Sequence, residues 1–191
     1  MAEPQTTAQD LSRGPARRPG DGRPDIGAML RVDQAGEYGA TRIYAGQLAV
    51  LGDRSQCARL VARMAAQEDR HLRHFDELLP ARGVRPTLLQ PVWNHAGHAL
   101  GAITALISPN AAMACTAAVE TEIDRHYSEQ LAALGTTDPD LAETIREFQA
   151  DELEHRDTAI AAGAEDALGY PILSFFIRAG CRVAIELSKR I

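Results

Sequence analysis

The strongest constraint in this sequence is a pair of matching Glu-x-x-His steps, Glu68 with His71 in "QEDRH" and Glu152 with His155 in "DELEH". Residues three apart on a helix share a face, so each step sets one carboxylate beside one imidazole. Each step also has a glutamate ahead of it: Glu37 lies 31 residues before Glu68, and Glu120 lies 32 before Glu152. Corresponding members of the two sets are offset by 83 or 84 residues. Tyrosines follow at equal spacing too, Tyr44 seven after Glu37 and Tyr127 seven after Glu120.

The segments that carry these residues read as long helices. Apolar periodicity and turn signals predict helices over about 26–51, 54–79, 109–134 and 138–163, with a short apolar helix at 92–107 and a last one from 171 to the C-terminus. Gly52 and Gly135 close the first and fourth, Pro80 is expected to stop the second, and Asp138 or Pro139 opens the fifth. No segment alternates with period two, so the fold class is all-α. Four helices of about 25 residues, roughly 37 Å each, form two tight hairpins joined by a long connection. That is a four-helix bundle with a crossover. A hairpin with a 31-residue offset brings its two glutamates to the same height, facing one another.

Glu120 follows "NAAMACTAAV", and Glu37 shares its helix face with Leu30, Ala40, Tyr44 and Leu48, so both are expected to point inward. Four buried carboxylates are prohibitive unless neutralised. Two divalent cations would supply four positive charges, with two neutral imidazoles completing the set. Oxygen-rich ligation with one imidazole per metal suits iron or manganese better than a closed zinc site. The same arrangement, one Glu from each of two helices and Glu-x-x-His from the other two, occurs in ferritin-like di-iron proteins. Against it stands the plainer reading of salt-bridged exposed helix faces. Asp151 is a candidate acceptor for the free N–H of His71 or His155. Tyr127 and Tyr44 are candidates to line the cavity beside the metals, or to be core. His74, His95, His98 and His126 fall into no pair and are read as structural or surface residues.

Composition narrows the partners. With 191 residues, 45% of them apolar, the chain can bury one core, and residues 26–191 are read as a single domain. A net charge of −6, one lysine and no basic tract exclude nucleic acid as the main partner. Cys57, Cys115 and Cys181 are isolated and odd in number, as expected of reduced thiols. Residues 1–25, rich in Pro, Gly and Arg with no apolar run, are expected to be a disordered tail and neither a secretory signal nor a transit peptide. Residues 99–119 are apolar enough to suggest a membrane span, but "SPN" breaks them into two helices at Ser108 and Pro109.

Together, "RVDQAGEYGATRIYAGQLAVL", "QEDRHL", "AMACTAAVE", "DELEHRD" and "AGCRVAIELSKRI" resemble the demethoxyubiquinone hydroxylase family of ubiquinone biosynthesis over about residues 29–191. The resemblance implies a di-iron monooxygenase that hydroxylates the ring of a polyprenylated demethoxyubiquinol with O₂ and NADH, the penultimate step of the pathway. It implies two Fe ions per chain, with Glu37 and Glu120 as terminal ligands, Glu68 and Glu152 bridging, and His71 and His155 supplying nitrogen. A lipid substrate implies peripheral contact with a membrane through about 92–107 and 171–191. Phe175 and Phe176 there stand beside Arg178, Arg182, Lys189 and Arg190, a mix suited to anionic lipid. The expected location is the cytoplasmic face of a bacterial inner membrane, or the matrix side of the mitochondrial inner membrane in a eukaryote. A lipid-binding accessory protein and a homo-oligomer stay open. The competing readings are a ferroxidase or iron-storage protein, a di-iron hydroxylase of another substrate, and a non-catalytic helical scaffold.

Overall fold

The structure, a computed structural model, describes residues 24–191, so the expectation for the tail at 1–25 lies almost wholly outside the described residues. Among those residues the protein is all-helical: α1 Ile26–Leu51, α2 Gln56–Ala81, α3 Gln90–Ile107, α4 Pro109–Leu134, α5 Pro139–Ala161 and α6 Tyr170–Ser188, with a 3₁₀ turn at Ala164–Asp166. This is a ferritin-like arrangement of two hairpins, α1/α2 and α4/α5, with α3 in the crossover and α6 laid against the bundle.

Local chemistry sets the helix ends. Gly52 and Gly135 take left-handed φ values of +68° and +52°, which turn the chain immediately after α1 and α4. Ser55 and Asp138 accept from Ala58 N and Leu141 N, capping α2 and α5. Ser108 closes α3 and caps α4, where Pro109 occupies the first turn, so the apolar stretch at 99–119 bends at the expected break. No helix among the described residues is long and apolar enough to cross a membrane. Pro80 does not stop α2, which runs on to Ala81. Proline removes one helical donor, but here the loss falls in the last turn, where Arg82 N still donates to Leu78 O and Leu79 O.

Two apolar clusters occupy the two ends of the bundle. One gathers Tyr44, Val61, Met64, Met113 and Ala159; the other gathers Leu30, Phe75, Tyr127, Ile145 and Phe148. Along every long helix the chain passes from one cluster to the other through a charged position: Glu37, Glu68 and His71, Glu120, and Glu152 and His155. The apolar ends therefore hold the charged middle in place.

α3 docks on α1 by unusually close backbone approach. A Cβ built on Gly101 would lie 1.9 Å from Ile43 O, and one on Gly46 2.1 Å from His98 O. Trp93 Nε1 donates to Ser188 Oγ and Arg31 to Lys189 O, so the end of α6 meets the starts of α1 and α3. α6 therefore runs antiparallel to both. Its first half lies at the end of the molecule where α3 finishes.

Candidate metal centre

Each charged position is fixed by its helix before any ligand is considered. Glu37, Glu68, His71, Glu120, Glu152 and His155 are all at most 2% exposed. Their ligand atoms fall into two groups, each with all atoms within 4.8 Å of one another: Glu37, Glu68, His71 and Glu152; and Glu68, Glu120, Glu152 and His155. Glu68 and Glu152 belong to both groups. His71 Nδ1 lies 3.4 Å from Glu37 Oε2 and 3.2 Å from Glu152 Oε1, and His155 Nδ1 lies 3.0 Å from Glu68 Oε1 and 3.3 Å from Glu152 Oε2.

The donor set fits a pair of cations. Glu37 Oε2, both oxygens of Glu68 and Glu152, Glu120 Oε2 and both Nδ1 atoms are buried without a hydrogen bond of acceptable geometry. Such orphaned groups are costly in a native core. Burial, then repulsion from the neighbouring carboxylates, pushes Glu68 and Glu120 well above the usual carboxylate range. The charges of this cluster call for positive partners inside it, which two divalent ions would supply.

An outer ring of hydrogen bonds orients the cluster. Tyr127 donates its hydroxyl to Glu37 Oε1 at 2.5 Å, and Tyr44 donates to Glu120 Oε1 at 2.8 Å. Each tyrosine thus serves the lead glutamate of the other hairpin. Burial first, and the adjacent carboxylates second, raise both phenols well above their ordinary value, which keeps them protonated as donors. His71 Nε2 meets Asp151 Oδ2 at 3.0 Å, whereas His155 Nε2 meets Gln67 Oε1 at 3.3 Å. Of the two histidines weighed as partners for Asp151, the structure pairs it with His71. Gln67 was missed, although the repeat offers the signal: it precedes Glu68 as Asp151 precedes Glu152.

Of the two readings open for His126, surface or structural, the structure shows the structural one, with polar partners that the sequence pattern did not reveal. His126 is 6% exposed, with Asp33 and Gln130 beside it, and Gln130 Nε2 donates to Asp33 Oδ1 at 2.7 Å. Burial raises the Asp33 carboxyl, partly offset by His126. Glu122, also missed, is fully buried and holds Arg125, Arg178 and Arg182. Two of the four cations expected to face lipid therefore turn onto a carboxylate of α4, because an unpaired buried charge would cost far more.

Two openings flank the centre. An apolar cavity of about 520 Å³ lies between α1, α3, α4 and α6, and Gly36 and Val119 in its wall are the chain neighbours of Glu37 and Glu120. A smaller polar pocket of about 250 Å³, with Arg70, His74 and Asp151 in its wall, lies on the α2/α5 side against His71.

The family model described as ubiquinone biosynthesis protein COQ7 matches residues 24–188. A 3-demethoxyubiquinol 3-hydroxylase of Rhodospirillum rubrum is 50% identical over 192 residues, 100% of this chain and 88% of that protein. The human mitochondrial protein named NADPH-dependent 3-demethoxyubiquinone 3-hydroxylase is 49% identical over 173 residues, 88% of this chain and 79% of its own. The yeast (Saccharomyces cerevisiae) mitochondrial 5-demethoxyubiquinone hydroxylase is 46% identical over 179 residues, 85% of this chain and 77% of that one.

Proposed function

The chain belongs to the ubiquinone biosynthesis COQ7 family, whose relatives above are named as hydroxylases, and on that premise we propose that it is a di-iron monooxygenase hydroxylating the ring of a polyprenylated demethoxyubiquinol. One observation carries the reading. A buried Glu₄His₂ cluster with orphaned donor atoms stands beside an apolar cavity large enough for a quinol ring and the first part of its tail.

In this reading Glu37 and His71 would hold one metal and Glu120 and His155 the other, with Glu68 and Glu152 shared by the two groups. Two iron ions there would supply activation of O₂. The chain's own residues do the rest. Asp151 and Gln67 accept at Nε2 of the two histidines, which leaves each Nδ1 lone pair for the centre. Tyr44 and Tyr127 hold one oxygen of each lead carboxylate, so that its second oxygen is the one free to bind. The cavity wall excludes water and keeps the ring beside the carboxylates. One oxygen atom enters the ring as hydroxyl, and the other leaves as water with two electrons from a reduced nicotinamide. The resemblance implies NADH, whereas the human relative is named for NADPH, so the choice between them belongs to the assay.

We place the domain at 26–191 and the protein on a membrane surface. Ile103, Leu106 and Ile107 of α3 and Ile172, Phe175 and Phe176 of α6 are exposed, and antiparallel packing gathers them at one end of the molecule. Phe176 is also in the cavity wall, so the cavity reaches these side chains. A lipid tail can pass from a bilayer into the protein there without crossing water. In a bacterium this surface is the cytoplasmic face of the inner membrane. The cavity and the apolar end speak against an iron-storage cage, which takes no organic substrate.

The test is a single turnover with iron-loaded protein, reduced nicotinamide, heavy-isotope O₂ and a short-tailed demethoxyquinol. One heavy oxygen in the ring is expected. Two bound irons with an untouched ring would refute the substrate assignment and leave the metal centre standing. Loss of iron in Glu120→Ala is expected as well, and iron retained at full occupancy would refute the ligand set.

A further inference from the structure

Six ligands, none more than 2% exposed, raise the question of how a cation reaches them. They come from α1, α2, α4 and α5, so the centre exists only once the bundle has formed, and each ion has to enter a folded protein. The 520 Å³ cavity is a poor way in. No charged side chain lines it, and a hydrated divalent ion passing through would lose water with nothing to replace it.

The polar pocket of about 250 Å³ on the α2/α5 side is the opposite case. Arg70, His74, Glu147 and Asp151 line it; the first three are exposed, and Asp151 keeps 30% of its side chain open to solvent. Its buried wall includes His71, and that ring reaches from the pocket to the centre. On the pocket side Nε2 meets Asp151 Oδ2 at 3.0 Å. On the centre side Nδ1 stands 3.2 Å from Glu152 Oε1 and 3.4 Å from Glu37 Oε2. One imidazole therefore lies between the pocket and these ligand oxygens.

We propose that this pocket is the port through which the metal ions enter and leave: Glu147 and His74 draw the hydrated ion in, Asp151 receives it, and the ring of His71 is the door. The inference rests on the proposed metal centre and adds the path to it. The door has a physical trigger. Asp151 holds the outer nitrogen of the ring by a single hydrogen bond, and a cation that binds the Asp151 carboxylate competes for the same oxygens. Freed from that bond, the ring turns about its side-chain torsions, and the ion passes from Asp151 to the carboxylates of Glu37 and Glu152 behind it. Arg70, in the same wall, opposes the entry of a cation by its charge, so substitutions at Glu147 and Arg70 act with opposite sign.

The experiment is stopped-flow uptake of Co(II) by the metal-free full-length protein at about 0.15 M salt, followed by the visible absorption of the bound ion. Release is measured by transfer to excess chelator, and affinity by equilibrium titration. Glu147→Lys is expected to slow uptake at least about fivefold, and Arg70→Glu to speed it by a similar factor. A port serves both directions, so release changes by the same factor and affinity stays within about threefold. Arg59→Glu makes the same charge change about 16 Å away along α2, beyond the roughly 8 Å reach of a charge at this salt, and should leave uptake within about twofold. If Glu147→Lys fails to fold, Glu147→Gln takes its place, with a smaller slowing in the same direction expected. Uptake unchanged in both Glu147→Lys and Arg70→Glu would overturn the port and leave the metal centre standing. Slower uptake with release unaltered would overturn it too, since Glu147 would then only add to the field at the bound ions. A parent protein that takes up no Co(II) would overturn the port and the centre together.

Discussion

Tyr127 of α4 gives its hydroxyl proton to Glu37 of α1, in the opposite hairpin. Tyr44 repeats the arrangement in reverse with Glu120, so the two halves of the bundle each hold the other's lead carboxylate. A tyrosine seven residues along a helix is two turns away, too far to serve the glutamate of its own helix. Antiparallel or crossed packing of the two halves brings it to the partner's instead.

Removing that proton donor leaves a buried carboxylate oxygen with nothing to bind. Tyr127→Phe is expected to reduce iron affinity or kcat by about 10–100-fold, the usual cost of losing a group that orients a metal ligand. Tyr44→Phe should behave alike if the pseudo-symmetry extends to function. Iron titration of the metal-free variants, with turnover measured alongside, gives both numbers. Full affinity in Tyr127→Phe would show that the phenol only packs.

The two histidines are held by different chemistry, and the difference should be measurable. Asp151 is anionic and about one-third exposed through its side chain, while Gln67 offers a neutral amide oxygen to His155. A charged acceptor makes the stronger hydrogen bond and the more basic imidazole. Asp151→Ala is therefore expected to weaken metal binding by about 10–100-fold, and Gln67→Ala by clearly less. Sequential iron titration should also show the His71 side filling first. Equal effects of the two substitutions would argue against any such asymmetry.

Gly101 tests the docking of α3. Any Cβ there would collide with the backbone carbonyl of Ile43, which is no flexible side chain. Gly101→Ala is expected to cost about 1–3 kcal/mol, the range for forcing extra volume into a packed contact. Because α3 forms a wall of the cavity but supplies no ligand, iron content should survive while quinone binding falls. Urea denaturation with iron analysis on the same samples separates the two effects. A variant as stable as its parent would mean that α3 can slide along α1 without loss.

The bundle and its six charged positions could be read from spacing alone, because helical period and hairpin length convert sequence distance directly into height. The partners of those positions were less legible. Asp151 could be named but not assigned to one histidine, and Gln67 escaped because an amide beside an acid reads as ordinary helix surface. Glu122 escaped for a different reason: two of its three arginines are 56 and 60 residues away on α6, and no periodicity links the two helices. The same gap turned Arg178 and Arg182 towards lipid on paper. In the structure they are committed to a buried carboxylate, and the large apolar side chains left exposed on α3 and α6 are Ile103, Leu106, Ile107, Ile172, Phe175 and Phe176 among others.

Glu122 also gives the fold a predictable response to acid. Burial opposes its ionisation, but the guanidiniums of Arg182, Arg178 and Arg125 prevail and hold its carboxyl down at about 2. In the unfolded chain a glutamate titrates near about 4.3. A pKa depressed by folding contributes stability that is fully present above the unfolded value and is lost as pH falls towards the folded one. The window here is about pH 4.3 down to about pH 2. Glu122→Gln removes the charge at every pH, and since all three arginines are partly solvated, its cost at neutral pH should be modest, about 1–2 kcal/mol. That difference from the parent protein should shrink as pH is lowered through the window and vanish near its foot. Urea denaturation of metal-free parent and variant between pH 7 and pH 2, followed by Trp93 emission, measures the difference. Because Trp93 Nε1 donates to Ser188 at the far end of α6, the same signal reports whether α6 leaves the bundle as the carboxyl takes up its proton. A difference that stays constant across the window would show that the arginines hold α6 by packing and not by charge.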